Sequence, residues 1–276
     1  MSRFEGANVL VVGGGADGPP RPGETLAMGN GRAMALRLAA EGARVAVTDI
    51  DGDLAAGTVD ALATDGLAIV ADAADPDQCR AAVERAEREL GPLTGVVCNV
   101  GIGSRTPIDD LTVEEWDRIF SINVTSHWVT AQAALAHMVP RGRGAFVFVS
   151  SGTALRSPGF ALAYESSNLA LHAVARHVAV RHGCNGIRAN VVSPGLIESA
   201  MARRAWGDLS FRDAVAPMRR QGQPEELAAV VAFYLSDDAA YVSGTVLPVD
   251  GGIDAGNYNE HRPELSRPRP APAAGG

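Results

Sequence analysis

Short, uninterrupted apolar runs alternate with helical patterns along most of this 276-residue chain. The first run, at residues 8–12, reads Asn-Val-Leu-Val-Val and ends in three glycines. A run without polar alternation predicts a strand buried on both faces, as in parallel sheets. Strands are likewise predicted at residues 44–48, 67–70, 95–99, 145–150, 187–192 and 245–249. With helices between them, these strands predict an α/β fold: a single Rossmann-type, doubly wound parallel sheet with helices on both faces.

Helical patterns fill most of the intervals between these runs, at residues 33–40, 76–90, 112–138 and 164–182. Two segments break the alternation. Residues 16–28 contain the loop-forming pairs Pro19-Pro20 and Pro22-Gly23, and residues 255–276 are rich in proline, alanine and glycine. We therefore expect one domain over residues 1–254, with a loop inserted at about residues 16–28, and a flexible tail over residues 255–276.

Composition restricts the partners and the compartment. The net charge of −8 argues against nucleic acid and anionic membranes, because both attract basic surfaces. No apolar run approaches the ~20 residues of a membrane span, and the N-terminus lacks the apolar region of a signal peptide. The three cysteines are scattered without metal-ligand spacing, so we expect reduced, mostly buried thiols and no metal site. These features predict a cytoplasmic protein.

Glycines lie at both ends of the loop between the first predicted strand and the first helix. Gly13 and Gly14 follow the strand, and Gly29, Asn30 and Gly31 open the helix. In such an arrangement, backbone N–H groups and the positive helix end meet a pyrophosphate, and glycine allows close approach. These residues are therefore predicted to hold a dinucleotide.

A second motif lies in the middle of the chain, where Ser151 precedes Tyr164 by thirteen residues and Tyr164 opens a helix. Together with the glycine loop and Asn99-Val100-Gly101, this pattern resembles the short-chain dehydrogenase/reductase family over about residues 6–254. The resemblance implies an oxidoreductase that uses a nicotinamide dinucleotide on a secondary alcohol or its ketone in a small molecule. It also implies a homo-oligomer, either a dimer or a homotetramer.

The chain departs from the family's glycine loop in two ways. Gly13 takes the place of a threonine, and eleven residues are inserted between Gly14 and Gly29. The insert has two interpretations: a flap beside the adenosine half of the cofactor, or a loop that blocks the site. The first is favoured, because the glycines at the helix start are retained.

The resemblance implies four catalytic positions: Asn123, Ser151, Tyr164 and Asn168. Asn168 occupies the position of the family's lysine. Tyrosine has an unperturbed pKa of about 10, and a cation within about 4–6 Å lowers such a pKa by roughly 1–3 units. Because Asn168 is neutral, it is able to hydrogen-bond a ribose hydroxyl but supplies no such field.

Three outcomes are compatible with this substitution. The first is an NAD-linked oxidoreductase, either a slow dehydrogenase or a reductase that needs only neutral Tyr164 as the acid. The second is a non-redox enzyme on the same fold, a cyclase, isomerase or dehydratase that uses Ser151 and Tyr164 as an oxyanion and acid pair. The third is a catalytically silent protein.

The choice of dinucleotide depends on Asp49, which ends the second predicted strand. A carboxylate there accepts hydrogen bonds from the ribose hydroxyls and repels a 2′-phosphate, so NAD is predicted over NADP. The alternative is that Asp49 merely starts a turn. The resemblance implies further cofactor contacts by Asp72, Asn99, Gly101, Pro194, Gly195, Ile197 and Ser199, the last four at the nicotinamide end.

The substrate pocket is less constrained by the sequence. The resemblance places Arg156 in the pocket, although a solvated loop arginine is an equal interpretation. Residues 201–215 are predicted to form a lid with Trp206 and Phe211 as apolar pocket residues, with ordinary packing of the lid as the alternative. His172 is expected at a subunit interface, and His127 is interpreted as structural.

Overall fold

The computed structural model describes residues 2–16, 18–24, 26–206, 209 and 212–256, with Trp206 described only as the end of its helix. Phe211 and most of the predicted tail, residues 257–276, lie outside the described residues. Within the described ranges, no helix is both long and apolar enough to cross a membrane.

The described strands form the predicted parallel sheet, and their order across its seven strands is β3-β2-β1-β4-β5-β6-β7. Every pairing is parallel, and the order reverses between β1 and β4, where the next strand along the chain moves to the other side of β1. The strands are β1 (Asn8–Val12), β2 (Arg44–Asp49), β3 (Gly66–Val70), β4 (Gly95–Cys98), β5 (Gly144–Val149), β6 (Ile187–Pro194) and β7 (Val246–Val249).

Helices cover both faces of the sheet. They are α1 (Asn30–Ala40), α2 (Gly52–Val59), α3 (Pro76–Glu89), α4 (Val113–Phe120), α5 (Ser126–Arg141), α6 (Leu162–His182), α7 (Ala200–Trp206) and α8 (Pro224–Leu235). Short 3₁₀ turns occupy Gly152–Ala154, Gly183–Asn185 and Asp237–Ala239.

Successive side chains of a strand point to opposite faces, and this alternation divides the core in two. Val9 and Val11 of β1 pack into the cluster that includes buried residues of α1 and α8. Leu10 and Val12 pack into the cluster that includes α3, α5 and α6. Burial on both faces explains why the strands read as continuous apolar runs.

The structure differs from the sequence predictions in its helices. Helices α2, α7 and α8 are additional, and α2 begins where the Asp51 carboxylate accepts hydrogen bonds from the backbone N–H groups of Asp53 and Leu54. The single helix predicted at residues 112–138 is two helices joined by the π-helical turn Ser121–Thr125. Such single π turns interrupt helices frequently at functional sites.

Candidate active site

The carboxyl ends of the parallel strands meet at one edge of the sheet, where open α/β sheets bind ligands near the reversal of strand order. At the end of β1, Gly13 adopts a φ of +75°, and its N–H donates to the Thr48 carbonyl at 2.9 Å. Asn99, after β4, donates from Nδ2 to the Gly13 carbonyl at 2.7 Å. Asn99 therefore braces the glycine loop, which agrees with a structural role for its side chain.

The start of α1 lies against this loop. A Cβ on Gly31 would lie 2.1 Å from the Gly13 carbonyl oxygen and 2.9 Å from the Cα of Gly14. Gly29 precedes the helix without a side-chain cap, and Asn30 Oδ1 is buried without a hydrogen-bond partner among the described residues. An uncapped helix start beside closely packed glycines fits the pyrophosphate of a dinucleotide.

A cavity of about 230 Å³ lies beside this loop, across the ends of β1 and β2 and the segments that follow β3 and β4. Two of its lining residues are acidic. Asp49 Oδ2 accepts from Gly15 N at 3.0 Å, and Asp72 Oδ1 accepts from Ala74 N at 2.8 Å. Its apolar walls include Ile50, Val100, Ile102 and Ile122. Carboxylates beside apolar walls fit the ribose hydroxyls and the flat base of an adenosine.

Arg118 also lines this cavity and was not predicted from the sequence. It lies on α4, four residues before Ile122, and residues at that spacing share a helix face. Ser121 donates from Oγ to the Ala74 carbonyl at 3.4 Å, so the end of α4 is attached to the segment after β3. The i, i+4 spacing of Arg118 and Ile122 was the one sequence signal that could have placed Arg118 on the helix face that lines the cavity.

Three of the predicted catalytic residues lie together at the end of β5. Ser151 is buried, and its Oγ accepts from Thr153 N at 3.2 Å and from Thr153 Oγ1 at 3.0 Å. Burial raises the pKa of Tyr164, while hydrogen bonds from the Ser151 and Asn168 side chains act in the opposite direction. The raised pKa keeps the phenol protonated at neutral pH.

Asn168 is buried one helical turn after Tyr164. Its Nδ2 donates to the Tyr164 main-chain carbonyl at 2.9 Å. Hydrogen bonds of this i to i−4 type fix a side chain against its own helix. The amide therefore presents a held, neutral dipole to the phenol instead of a charge.

Asn123, the fourth predicted catalytic residue, lies in the π-helical turn. Its Oδ1 accepts from Ile102 N at 2.9 Å, and its Nδ2 donates to the Ile102 carbonyl at 3.0 Å and to Ser167 Oγ at 3.1 Å. These bonds connect the loop after β4 to α6, and Gly101 packs beside the same amide. The described contacts give Asn123 a positioning role.

His172 is not at the surface, and the prediction of an interface histidine is wrong. Only 4% of the residue is exposed, and its Nε2 lies 3.1 Å from Ser150 Oγ. Ser150 Oγ donates its only proton to the Asn168 carbonyl at 3.0 Å. The hydroxyl therefore accepts from His172, whose Nε2 carries the proton of that second hydrogen bond. Burial, with a smaller contribution from Arg176, lowers the pKa of His172 and favours this neutral form.

The predicted nicotinamide end lies beyond β6, of which Pro194 is the last residue. Gly195 is closely packed, because a Cβ there would lie 2.6 Å from that of Asp250. Ile197 forms a parallel bridge with Gly222 through its two neighbours, so its own peptide groups stay outside the bridge. Ser199 Oγ accepts from Ala202 N at 3.2 Å, a contact that does not use the Ser199 hydroxyl proton.

Arg156, which was predicted in the substrate pocket, makes its described contacts with the end of the domain. Arg156 is exposed, and it donates to the carbonyls of Ile253 and Gly256, so it braces the end of the domain. Trp206 ends α7, and its side chain lies outside the description, as does Phe211. The roles of these aromatic residues in a pocket stay predictions.

The insert also lies elsewhere than expected. Its described residues hydrogen-bond to α7 and to the start of α8, through Pro19 and Met28 in the first case and Arg21 in the second. The flap is therefore packed on the segment after β6 and not beside the adenosine cavity. The physical reason is that Arg21 finds Gln223 and Glu225 there as partners.

Comparisons with known proteins agree with this geometry. Residues 26–254 match the family model described as enoyl-(acyl carrier protein) reductase. Levodione reductase of Leifsonia aquatica is 34% identical over 269 residues, which cover 92% of this chain and 96% of that protein. Inactive 2-(S)-hydroxypropyl-CoM dehydrogenase 2 of Xanthobacter autotrophicus is 38% identical over 229 residues, 80% of this chain and 100% of that protein.

A solved structure extends the similarity to three dimensions. A blue fluorescent protein from a metagenomic library, crystallised in complex with NADPH, superposes with a TM-score of 0.80. It is 36% identical, and the match covers 91% of this chain and 99% of that one.

Proposed function

The chain belongs to the short-chain dehydrogenase/reductase family of oxidoreductases, and from that premise we propose that it transfers a hydride between NAD and a secondary alcohol or its ketone. The observation that carries the proposal is the grouping of Ser151, Tyr164 and Asn168 at the same sheet edge as the glycine loop. When bound, a nicotinamide dinucleotide would supply or accept the hydride. The substrate is a small organic molecule.

The chain's own residues handle the oxygen and its proton. Ser151 and Tyr164 hold the carbonyl or alcohol oxygen through their hydroxyl groups, and Tyr164 donates the proton in reduction and removes it in oxidation. Asn168 stabilises the phenolate only through a neutral hydrogen bond. Since burial raises the pKa of Tyr164, its acid form is available at neutral pH and its base form is scarce. The active site therefore favours the reduction step at neutral pH.

We assign NAD as the preferred dinucleotide. The Asp49 carboxylate would accept hydrogen bonds from the ribose hydroxyls, and its negative charge would repel a 2′-phosphate in the same cavity. Asp72 would lie beside the base. Arg118 is the opposing consideration, because it brings a cation to that cavity, and the NADPH of the blue fluorescent protein shows that a relative of this fold binds the phosphorylated form.

A second candidate follows from the neutral residue beside Tyr164. Asn168 supplies no charge, and one relative is named as inactive. Under this alternative the chain either binds the dinucleotide without redox turnover or performs non-redox chemistry with Ser151 and Tyr164.

One pair of variants separates the candidates. Wild type, Tyr164→Phe and Ser151→Ala are assayed with NADH and a panel of ketones, and NADH binding is titrated in parallel. The redox proposal expects turnover in wild type and a loss of about 10²–10⁴-fold in Tyr164→Phe, with NADH affinity retained. Saturable NADH binding without turnover of any ketone in the panel would favour the second candidate.

We also propose that a second copy covers the outer face of α5 and α6. Trp128 and Leu169 expose 41% and 52% of their surface, and the groove between the helices includes Leu135, Val139 and Val174. Apolar surface of this kind is typical of subunit interfaces. Light scattering of wild type is expected to give the molar mass of a dimer or tetramer. Trp128→Glu places a charge in the interface and is expected to lower that molar mass. A monomer in wild type would refute this assembly.

A further inference from the structure

The insert in the glycine loop makes backbone contact with the segment after β6. Ala200 donates from its N–H to the Met28 carbonyl at 2.8 Å. Gly18 packs so closely on Ala200 that a Cβ at Gly18 would lie 2.2 Å from the Ala200 carbonyl oxygen. The two segments therefore touch through their main chains, at both ends of the insert.

Arg203 joins the same two segments through its side chain. It is 9% exposed, and its Nε donates to the Pro19 carbonyl at 3.1 Å. Its Nη1 donates to the Glu198 carbonyl at 2.9 Å and approaches the Glu198 carboxylate at 3.3 Å. One buried guanidinium thus fixes the insert and the residue between Ile197 and Ser199.

A second connection runs through the start of α8. Arg21 donates to Gln223 Oε1 at 2.8 Å and forms an ion pair with Glu225 at 2.5 Å. Gln223 in turn donates to Glu198 Oε2 at 3.0 Å. The insert, the start of α8 and Glu198 are therefore linked in a closed set of polar contacts that Arg203 completes.

We propose that residues 18–24 and 26–28 form a strap that holds residues 197–203 in place before the dinucleotide binds, with Arg203 as its positioning residue. The proposal rests on the proposed NAD function, since Ile197 and Ser199 are predicted from the family resemblance to contact the nicotinamide end of the dinucleotide. A segment that is already ordered does not have to be immobilised on binding, and such preorganisation raises affinity. The strap acts on binding and not on the chemical step, because Arg203 touches neither Ser151 nor Tyr164.

Hydrogen–deuterium exchange of the dinucleotide-free, full-length protein tests the strap without any cofactor. In Arg203→Met, the amides of residues 196–205 are expected to exchange at least tenfold faster than in wild type. In Arg203→Lys the exchange rate is expected to lie between those of wild type and Arg203→Met, because an ammonium lacks the planar, forked donors with which the guanidinium reaches both carbonyls. Arg21→Gln removes only the outer connection and is expected to show a smaller increase in the same segment.

Arg37→Gln is the matched control, since Arg37 pairs with Glu41 near the far end of α1, at the surface. It is expected to leave exchange of residues 196–205 unchanged. NADH titration then measures the consequence: a dissociation constant about tenfold higher in Arg203→Met, with kcat at saturating NADH within about twofold of wild type.

The two proposals fail separately. If residues 196–205 exchange equally in wild type, Arg203→Met and Arg21→Gln, the strap is refuted whatever NADH does. If wild type does not bind NADH while the exchange difference is present, the strap stands and the NAD function is refuted. If Arg203→Met lowers kcat at saturation as strongly as it weakens binding, Arg203 acts on catalysis, and its role as a positioning residue for binding is refuted.

Discussion

The Asn168 side-chain amide donates to the main-chain carbonyl of Tyr164 at 2.9 Å, on the face of α6 that is buried against the end of β5. The main-chain carbonyl of Asn168 accepts a hydrogen bond from Ser150 Oγ, which in turn is hydrogen-bonded to His172 Nε2. The residue beside the phenol is therefore fixed from two sides and uncharged. Burial raises the pKa of Tyr164, and the neutral Asn168 amide opposes that shift only through a hydrogen bond, so the first prediction replaces the amide with a charge.

Asn168→Lys is expected to accelerate alcohol oxidation at pH 7–8. An ammonium near the phenol lowers its pKa by roughly 1–3 units, so the phenolate fraction increases by about 10–1000-fold. Steady-state oxidation rates measured as a function of pH test this. The rate of wild type is expected to rise up to pH 10 or above, and the rate of the variant is expected to level off at a lower pH. Asn168→Met is the uncharged control. Identical profiles for the lysine variant and wild type would contradict the assigned role of Tyr164.

Asp49→Ser is expected to weaken the preference for NADH over NADPH. The substitution removes the carboxylate that opposes a 2′-phosphate and leaves Arg118 in the same cavity. Because like charges in contact cost several kcal/mol, the dissociation constant of NADPH is expected to fall about tenfold or more. Parallel titrations with both dinucleotides measure the ratio. Asp53→Ser removes an exposed carboxylate of the nearby helix α2 and controls for net charge; an equal effect would place the discrimination outside Asp49.

Gly31→Ala is expected to destabilise the fold by about 1–3 kcal/mol, because the new methyl group meets the rigid Gly13 carbonyl at 2.1 Å. Gly29→Ala is the matched control at the same helix start, where the nearest atom would lie 3.3 Å away. Its cost is expected to stay below about 1 kcal/mol. Urea denaturation of both variants measures the difference, and equal midpoints would show that the close approach of α1 to the loop is unimportant for stability.

His127 is expected to make the fold less stable in acid. Burial lowers the pKa of His127 to about 4, against a smaller opposing contribution from the Val100 backbone. Since the unfolded state takes up a proton near pH 6.5 and the folded state does not, stability is full above pH 6.5 and falls towards pH 4, by about 3 kcal/mol.

Urea denaturation of wild type and His127→Leu between pH 7 and pH 4 measures this effect. The variant is expected to lose most of the pH dependence, and the remainder is assigned in part to His172, whose pKa burial also lowers. A decline of the same size in both proteins would show that His127 does not titrate in this range.

The sheet was predictable because its strands are buried on both faces and bounded by glycines and helices. Every predicted strand is present within one or two residues, since burial on two faces favours apolar residues along most of each run, with Arg188 and Asn190 of β6 as exceptions. Helix α2 was missed because it is short and its N-cap, Asp51, is also a turn former. The π-helical turn at Asn123 was not predictable, because the side-chain pattern passes through it without a break.

Long-range contacts account for the remaining differences in the site. The sequence indicated that Tyr164 and Asn168 share a helix face, but the hydrogen bond of His172 depends on how α6 packs on β5. The location of the insert depends on partners about 180–200 positions away, Arg203 for Pro19 and Gln223 for Arg21. Local patterns carry no information on such pairs.

Titration of the wild-type protein with NADH and NADPH is the decisive experiment, because both departures from the family pattern, the insert and Asn168, lie where the dinucleotide would bind. We expect saturable binding of one NADH per chain, with tighter binding of NADH than of NADPH. Absence of saturation with either dinucleotide would contradict it, and the grouping of Ser151, Tyr164 and Asn168 would then require a non-redox explanation.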